Sequence, residues 1–346
     1  MSAPGGREGA TGPLGRRQAG LPGVLVAGVT ALISGLSVFV NSYGVHSVTA
    51  PAVYTTGKNL VATVALVGCT LGAWKVRQRR PESAAARFVS VRKGSATPSA
   101  DAGGTGTWGA LRWLGLAYVG IVGGGLAFVL FFDGLADTTA TPAAFMRDTL
   151  VIWVAVLAVP ILHERMMWWN VAAIALLVTG EVAVAGGVGH LAASRGEVLV
   201  LLATVLWAVE VVVVKTLLRD LAPAAVSLAR MGVGAVTLLA YLAASGSLHA
   251  LVSLDATQLG WVLLTGLLLS AYVATWMTAL ARARALDVTS ILVGSALVTA
   301  LLQAAAGTTA LAPQALGLAL IAAGITAVVW IGWRHPELYR PRVVAG

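Results

Sequence analysis

Long apolar runs alternate with short polar or basic segments along nearly the whole chain. Ten runs stand out, at 22–43, 51–73, 113–135, 140–162, 168–188, 197–215, 222–244, 258–280, 287–308 and 313–333. A bilayer-spanning helix needs about 20 mostly apolar residues, and backbone polar groups in lipid must be satisfied within the segment. The pattern therefore predicts ten transmembrane helices. It breaks over residues 75–112, which begin Lys75-Val76-Arg77-Gln78-Arg79-Arg80 and turn Ala/Ser/Gly/Thr-rich from Gly94 to Gly109. That composition predicts a disordered cytoplasmic loop. Residues 1–21 are Gly/Pro/Arg-rich, with no small-residue cleavage site after the first apolar run. They predict a disordered tail, not a signal peptide, and 334–346 a second tail.

Composition removes the soluble alternative. The 346 residues are 58% hydrophobic and 11% charged, with a mean hydropathy of +0.86; a soluble domain carries roughly 25% charged residues. The formal charge of +9 would suit nucleic acid, but the cations sit in short segments between apolar runs, where membrane orientation explains them. Nucleic acid is therefore not an expected partner; membrane lipids are. With the N-terminus inside, all but four of the 23 lysines and arginines fall on the cytoplasmic side. Arg195 lies outside, and Lys58, Arg147 and Arg230 lie within helices. This asymmetry predicts a multipass protein of the cell membrane with both termini cytoplasmic. Trp74, Trp113, Trp168, Trp169, Trp261, Trp330 and Trp333 fall at or near helix ends, as an interfacial belt requires. The single Cys69 excludes an intrachain disulfide and reads as a small packed residue. Small residues at packing intervals (Ala27, Ala31 and Gly35; Gly120 and Gly124) mark close helix approaches.

A repeat is written into the second and seventh runs. Ala50-Pro51 is followed by Lys58 seven residues after the proline, and Ala222-Pro223 by Arg230 at the same spacing; a shift of 172 superposes all three positions. The two motifs are five spans apart. An odd number of spans reverses orientation, so the halves 22–188 and 195–333 form two inverted five-helix repeats. This is a common plan of secondary transporters, whose site lies between the halves near midplane. Gly180, late in the fifth run, is echoed by Gly324, late in the tenth.

With these motifs the chain resembles the EamA-type members of the drug/metabolite transporter superfamily. The Ala-Pro stretches ending in Lys58 and Arg230 are similar to the family's cation in helices two and seven. His163-Glu164-Arg165 resembles the Gly-Glu-Arg turn ending its helix four. Arg195-Gly196-Glu197 with Leu206-Trp207-Ala208 resembles the opening of its second half. The chain departs from the pattern at Gly307-Thr308-Thr309, which has no glutamate, at Arg147-Asp148 in helix four, and in its long basic loop. The resemblance implies export of amino acids or related metabolites by alternating access, with helices five and ten supporting the bundle from outside the pathway.

Charges inside the bilayer are costly, at least ~2.5–3.5 kcal/mol each, and mark functional positions by default. The inventory is Lys58, Asp133, Arg147, Asp148, Glu181, Glu210 and Arg230. Depth sorts them. Lys58, Asp133, Arg147 and Asp148 lie in the outer half and are expected to form an ion-pair cluster. Glu210 and Arg230 lie in the inner half and are expected to pair. These six are the candidate transport-pathway residues, each set closing one side. The alternative for Lys58 and Arg230 is static packing, since both lie roughly 10 Å from a helix start and long cations snorkel. For Glu181 the resemblance, which sets helix five outside the pathway, implies a packing or homodimer role at least as readily as a functional one. Glu164 and Arg165 are expected to end helix four at the cytoplasmic surface. Asn41, Thr299 and Gln303 are candidate hydrogen-bonders to a small-molecule substrate. Glu210, Asp148 and Asp133, in that order, are candidates to carry a coupled proton, because burial favours the protonated acid.

No cofactor or metal is expected. The five histidines (His46, His163, His190, His249 and His335) fall in loops or tails without ligand spacing, and no paired-carboxylate or phosphate-loop motif accompanies them, which argues against an enzyme. A scaffold or receptor would leave the intramembrane charges unused, and multidrug or lipid-linked substrates remain alternatives within carriers.

Overall fold

The computed structural model describes residues 21–48, 50–79, 107–138, 140–185, 187, 194–308 and 310–334. Nearly all of the expected tails and most of the expected basic loop lie outside the described residues. The ends of that loop are helical: α2 continues to Arg79 and α3 begins at Thr107.

The spans are α1 (Leu21–Ser47), α2 (Pro51–Arg79), and α3, built from Thr107–Ala117, Tyr118–Leu126 and Ala127–Ala136. α4 joins Ala140–Asp148 to Leu150–Leu162, and α5 is Trp168–Val184. In the second half come α6 (Arg195–Leu217), α7 (Pro223–Ala244), α8 (Ala256–Arg282), α9 (Ala285–Leu292 with Ser295–Ala305) and α10 (Ala315–Arg334). Among the described residues, nine are long and apolar enough to cross a bilayer; α5 is apolar but shorter. A short helix, Leu248–Val252, between α7 and α8 went unpredicted.

The ends of these helices follow from local chemistry. Pro51 and Pro223 open α2 and α7 at the position where a missing N–H costs nothing. Ser194 caps α6 by accepting from the Glu197 N–H, and Asp255 forms a capping box with Gln258 at α8. α4 ends at His163, the one non-glycine residue with positive φ (+54°) among the described residues. That conformation costs a residue with Cβ about 1 kcal/mol. His163→Gly is therefore expected to raise stability by about 1 kcal/mol in detergent unfolding; a loss would mean that the imidazole holds the turn.

The inverted repeat is visible in the packing. α1 packs on α8 as α6 packs on α3; α2 packs on α8 as α7 packs on α3; α1 meets α9 as α6 meets α4. Each contact has its counterpart five helices on, and each joins opposite halves or neighbours across the seam. α5 and α10 pair with each other. A Cβ on Gly180 would lie 2.8 Å from the Gly317 carbonyl, and one on Gly324 would lie 2.8 Å from the Leu177 side chain. The Gly180–Gly324 echo is thus the seam between the last helices of the two halves. The largest core cluster draws on all ten helices, including Val154, Val211, Met231, Met277 and Leu286, with Ala173 of α5 and Val328 and Ile331 of α10. Cys69 departs from expectation: it is exposed on α2, on a stretch that also exposes Val64, Leu71 and Trp74.

Candidate functional site

Arg230 and Glu210 form a buried ion pair where α7 meets α6. Arg230 Nε donates to Glu210 Oε1 at 2.6 Å and Nη2 to Oε2 at 3.3 Å. The carboxylate side chain is fully buried and that of the arginine is 5% exposed. Aromatic faces close over the guanidinium, Phe128 of α3 at 5.6 Å and Trp276 of α8 at 5.4 Å. Such a pair survives in a low-dielectric interior only because each charge satisfies the other.

Backbone geometry admits this pair. The middle of α3, Tyr118–Leu126, winds as a π-helix, a widening often found at functional sites. Its glycines face α6 and α7. A Cβ on Gly123 would lie 2.2 Å from the Glu210 carboxyl carbon, and one on Gly124 would lie 2.4 Å from the Arg230 carbonyl. The Gly123 carbonyl accepts from Trp207 Nε1 at 3.1 Å and from Arg230 Nη2 at 3.5 Å. The Gly120/Gly124 spacing and Trp207 were legible in the sequence; the π-turn was not.

Lys58, the repeat mate of Arg230, is also buried, at 7% exposure, in a different environment. Its Nζ donates to Asn41 Oδ1 of α1 at 3.3 Å. It also lies 5.3 Å from the Tyr54 ring centre and 5.0 Å from that of Phe132. Asn41 Oδ1 accepts from the Tyr54 hydroxyl as well, at 2.8 Å, and that hydroxyl reaches Thr265 of α8 at 3.0 Å. α3 and α8 thus serve both cations. α3 presents Phe128 to Arg230 and Phe132 to Lys58, and the two rings stack at 6.4 Å.

The expected outer cluster does not assemble. Arg147 turns back on its own neighbour, with Nη2 2.8 Å from Asp148 Oδ1. An unbroken helix would hold the two about 100° apart. Both stand at the end of the segment Ala140–Asp148, and the long flexible arginine side chain reaches round to its neighbour. Glu181 of α5 is buried and lines a small cavity together with Asp148, Phe145, Thr149, Leu177 and Val293. It turns inward, into the bundle. Asp133 is exposed, and among the described residues Lys58 forms no ion pair. Of the hydrogen-bonding candidates, Thr299 donates to the Gly35 carbonyl at 3.1 Å and so ties α9 to α1.

A second network, missed in the sequence, ties the halves at the end where α4, α6 and α8 finish. Both Glu164 oxygens accept backbone N–H groups opening α9, from Ala285 at 2.7 Å and Leu286 at 3.2 Å. Arg284 donates to the Arg165 carbonyl at 2.8 Å and to Asp287 at 2.9 Å. Lys215 of α6 caps the end of α8 through the Leu280 and Ala283 carbonyls. A carboxylate at a helix N-terminus and an ammonium at a helix C-terminus are each favourable placements. The only sequence signal was the His-Glu-Arg turn itself; Asp287 read as an ordinary helix start.

Glu164 lies outside the spans, and burial pushes its carboxyl above the usual 4.5, opposed by the two N–H groups. A carboxyl with a raised folded-state pKa holds its proton more tightly folded than unfolded. Its contribution to stability is then fullest below pH 4.5 and is lost as pH climbs through the raised value. The melting temperature of wild type relative to Glu164→Gln should therefore fall as pH rises above 4.5. A difference that is flat with pH would exclude a buried titrating carboxyl here.

Two interleaved five-helix halves, with buried charges held where they meet, define a multipass membrane transporter. Comparison with known proteins agrees. The chain belongs to the EamA-like transporter family, which it matches over residues 21–185 and 194–330, one match in each half. Among solved structures, one described as "Crystal structure of protein" has a TM-score of 0.66 at 16% identity, covering 90% of this chain and 99% of that one. At that identity the likeness concerns the fold. No curated protein matches.

Proposed function

We propose that the protein is a secondary transporter that moves a small polar metabolite, an amino acid or related compound, by alternating access, with export as its direction. It acts in the cell membrane with both termini cytoplasmic. The observation that carries this reading is the Glu210–Arg230 pair, buried at the junction of α3, α6, α7 and α8. A fixed scaffold could fill such a place with apolar side chains at no loss of stability; a carrier needs polar groups that can exchange partners along its path. The contacts of Glu164 and Arg284 support the same reading, because they join α4 and the turn after it to the start of α9 through bonds to single side chains. These can break and re-form as one half rocks against the other. Aromatic residues beside the pair, Phe128 and Phe131 each 5.4 Å from Trp207, favour a second reading within the same class, a carrier of ring-bearing or multidrug-type solutes.

The test is flux in vesicles containing the purified protein, with radiolabelled amino acids and their derivatives inside. Saturable efflux that is lost in Glu210→Gln establishes a carrier. Unsaturated flux points to a channel, and no flux across the panel rejects the proposal. Repeating the measurement with and without a pH gradient tests proton coupling through Glu210; equal rates remove it.

A further inference from the structure

The two repeat-related cations are neutralised differently. In the second half the preceding helix, α6, offers Arg230 a carboxylate, Glu210. In the first half the preceding helix, α1, reaches Lys58 with Asn41, an amide that carries no charge. The remaining neighbours of the ammonium are the Tyr54 and Phe132 rings, which attract a cation through their faces without cancelling its charge. A lysine ammonium has three N–H donors. One is directed at Asn41 Oδ1, at a long 3.3 Å, and that oxygen already accepts the Tyr54 hydroxyl. Asn41→Asp is a nearly isosteric change, so packing alone does not explain why an amide stands there.

We infer that Lys58 is the docking point for the carboxylate of a small monoanionic or zwitterionic solute, which supplies the counter-charge that Glu210 supplies to Arg230. This rests on the carrier reading and names its substrate class. A single ammonium beside a neutral amide matches one unit of negative charge; a phosphate, with up to two charges and three acceptor oxygens, calls for a richer set of donors. Thr55 Oγ1 and Asn59 Oδ1 are buried without a hydrogen-bond partner, about 60° and 100° round the helix from Lys58. Asn59 Oδ1 is an acceptor, suited to an N–H donor such as an amino-acid ammonium. The site lies at the seam, built from α1, α2 and α3 with Thr265 of α8 behind Tyr54. The Phe132–Phe128 stack joins it to the Arg230 pair. Filling of the Lys58 site can thereby be felt at the pair that closes the other half.

The experiment uses full-length protein in detergent and measures thermal stabilisation by L-amino acids, acetate and benzoate. Matched amides, inorganic phosphate and phosphatidylglycerol micelles are run beside them. At least one carboxylate should stabilise the wild type while its amide does not. Its apparent affinity should fall by about tenfold or more in both Lys58→Met and Asn41→Asp, the latter because it gives Lys58 an internal counter-ion. Asn41→Asp is expected to remain folded, so the test stands even if Lys58→Met does not fold. The inference is overturned if no carboxylate stabilises the wild type or the amides do equally well. It is also overturned if both variants bind unchanged, or if only phosphate or the lipid stabilises. The carrier reading fails separately. Carboxylate binding without flux in vesicles would sink it and leave the Lys58 site standing, whereas flux of an uncharged solute that neither variant alters would do the reverse.

Discussion

Glu210→Ala should destabilise the protein by about 3–5 kcal/mol, among the largest single losses expected in the chain. The side chain it removes is fully buried and holds Arg230 through two hydrogen bonds. Without it the guanidinium is left in an apolar interior with two ring faces and a distant carbonyl. The double change Glu210→Leu, Arg230→Met removes both charges and should recover most of the stability, since buried pairs replaced by apolar residues of similar size are often neutral or better. It should not recover transport. Equilibrium unfolding in micelles and flux in vesicles separate the two effects. Exchanging the charges, Glu210→Arg with Arg230→Glu, should restore part of the flux that either single reversal abolishes. If the exchange restores none, the pair does not gate.

Gly124→Ala should cost about 2–3 kcal/mol, although it adds one methyl group. The added Cβ would fall 2.4 Å from the Arg230 carbonyl, and Gly234 opposite is equally confined, its own Cβ falling 2.6 Å from the Gly124 carbonyl. Backbone faces backbone here, so no side chain can swing aside, and α3 must part from α7. That movement would draw the Gly123 carbonyl and Phe128 away from Arg230, so flux should fall along with stability. Gly68→Ala and Gly72→Ala are the controls. Nothing lies within 4 Å of a Cβ at either position, and both should leave stability unchanged or slightly raised. Equal losses at Gly124 and Gly68 would show that the α3–α7 contact does not set the cost.

The helices were easy to read because lipid enforces a simple rule: a spanning segment must be apolar and must satisfy its own backbone. The halves were legible because Lys58 and Arg230 keep their spacing from a helix-opening proline. Pairing followed depth in one case and not in the other. Glu210 and Arg230 stand on successive helices that are brought together by a five-residue connection, so equal depth sufficed. Lys58, Asp133, Arg147 and Asp148 share a depth but not a side of the bundle. Depth is read along one axis, and the rotation of each helix about its own axis is set by packing. The break at Thr149 and the π-turn in α3 were hidden for a related reason: both are adjustments of backbone winding to neighbouring helices, and the apolar residues around them fit a regular helix equally well.

By itself the sequence determined that the chain spans the membrane many times, that its halves are inverted copies, and that buried cations stand at matching places in each. Those features rest on composition, period and spacing, which exist before folding. Only the tertiary structure decided which charges meet. Arg230 receives a carboxylate and Lys58 an amide, Glu164 reaches across to open α9, and Asp133 faces outward. The reason is that partner choice depends on helix rotation and on approaches of a few ångströms, set by glycines such as Gly123 and Gly124, whose role appears only once a neighbouring helix lies against them.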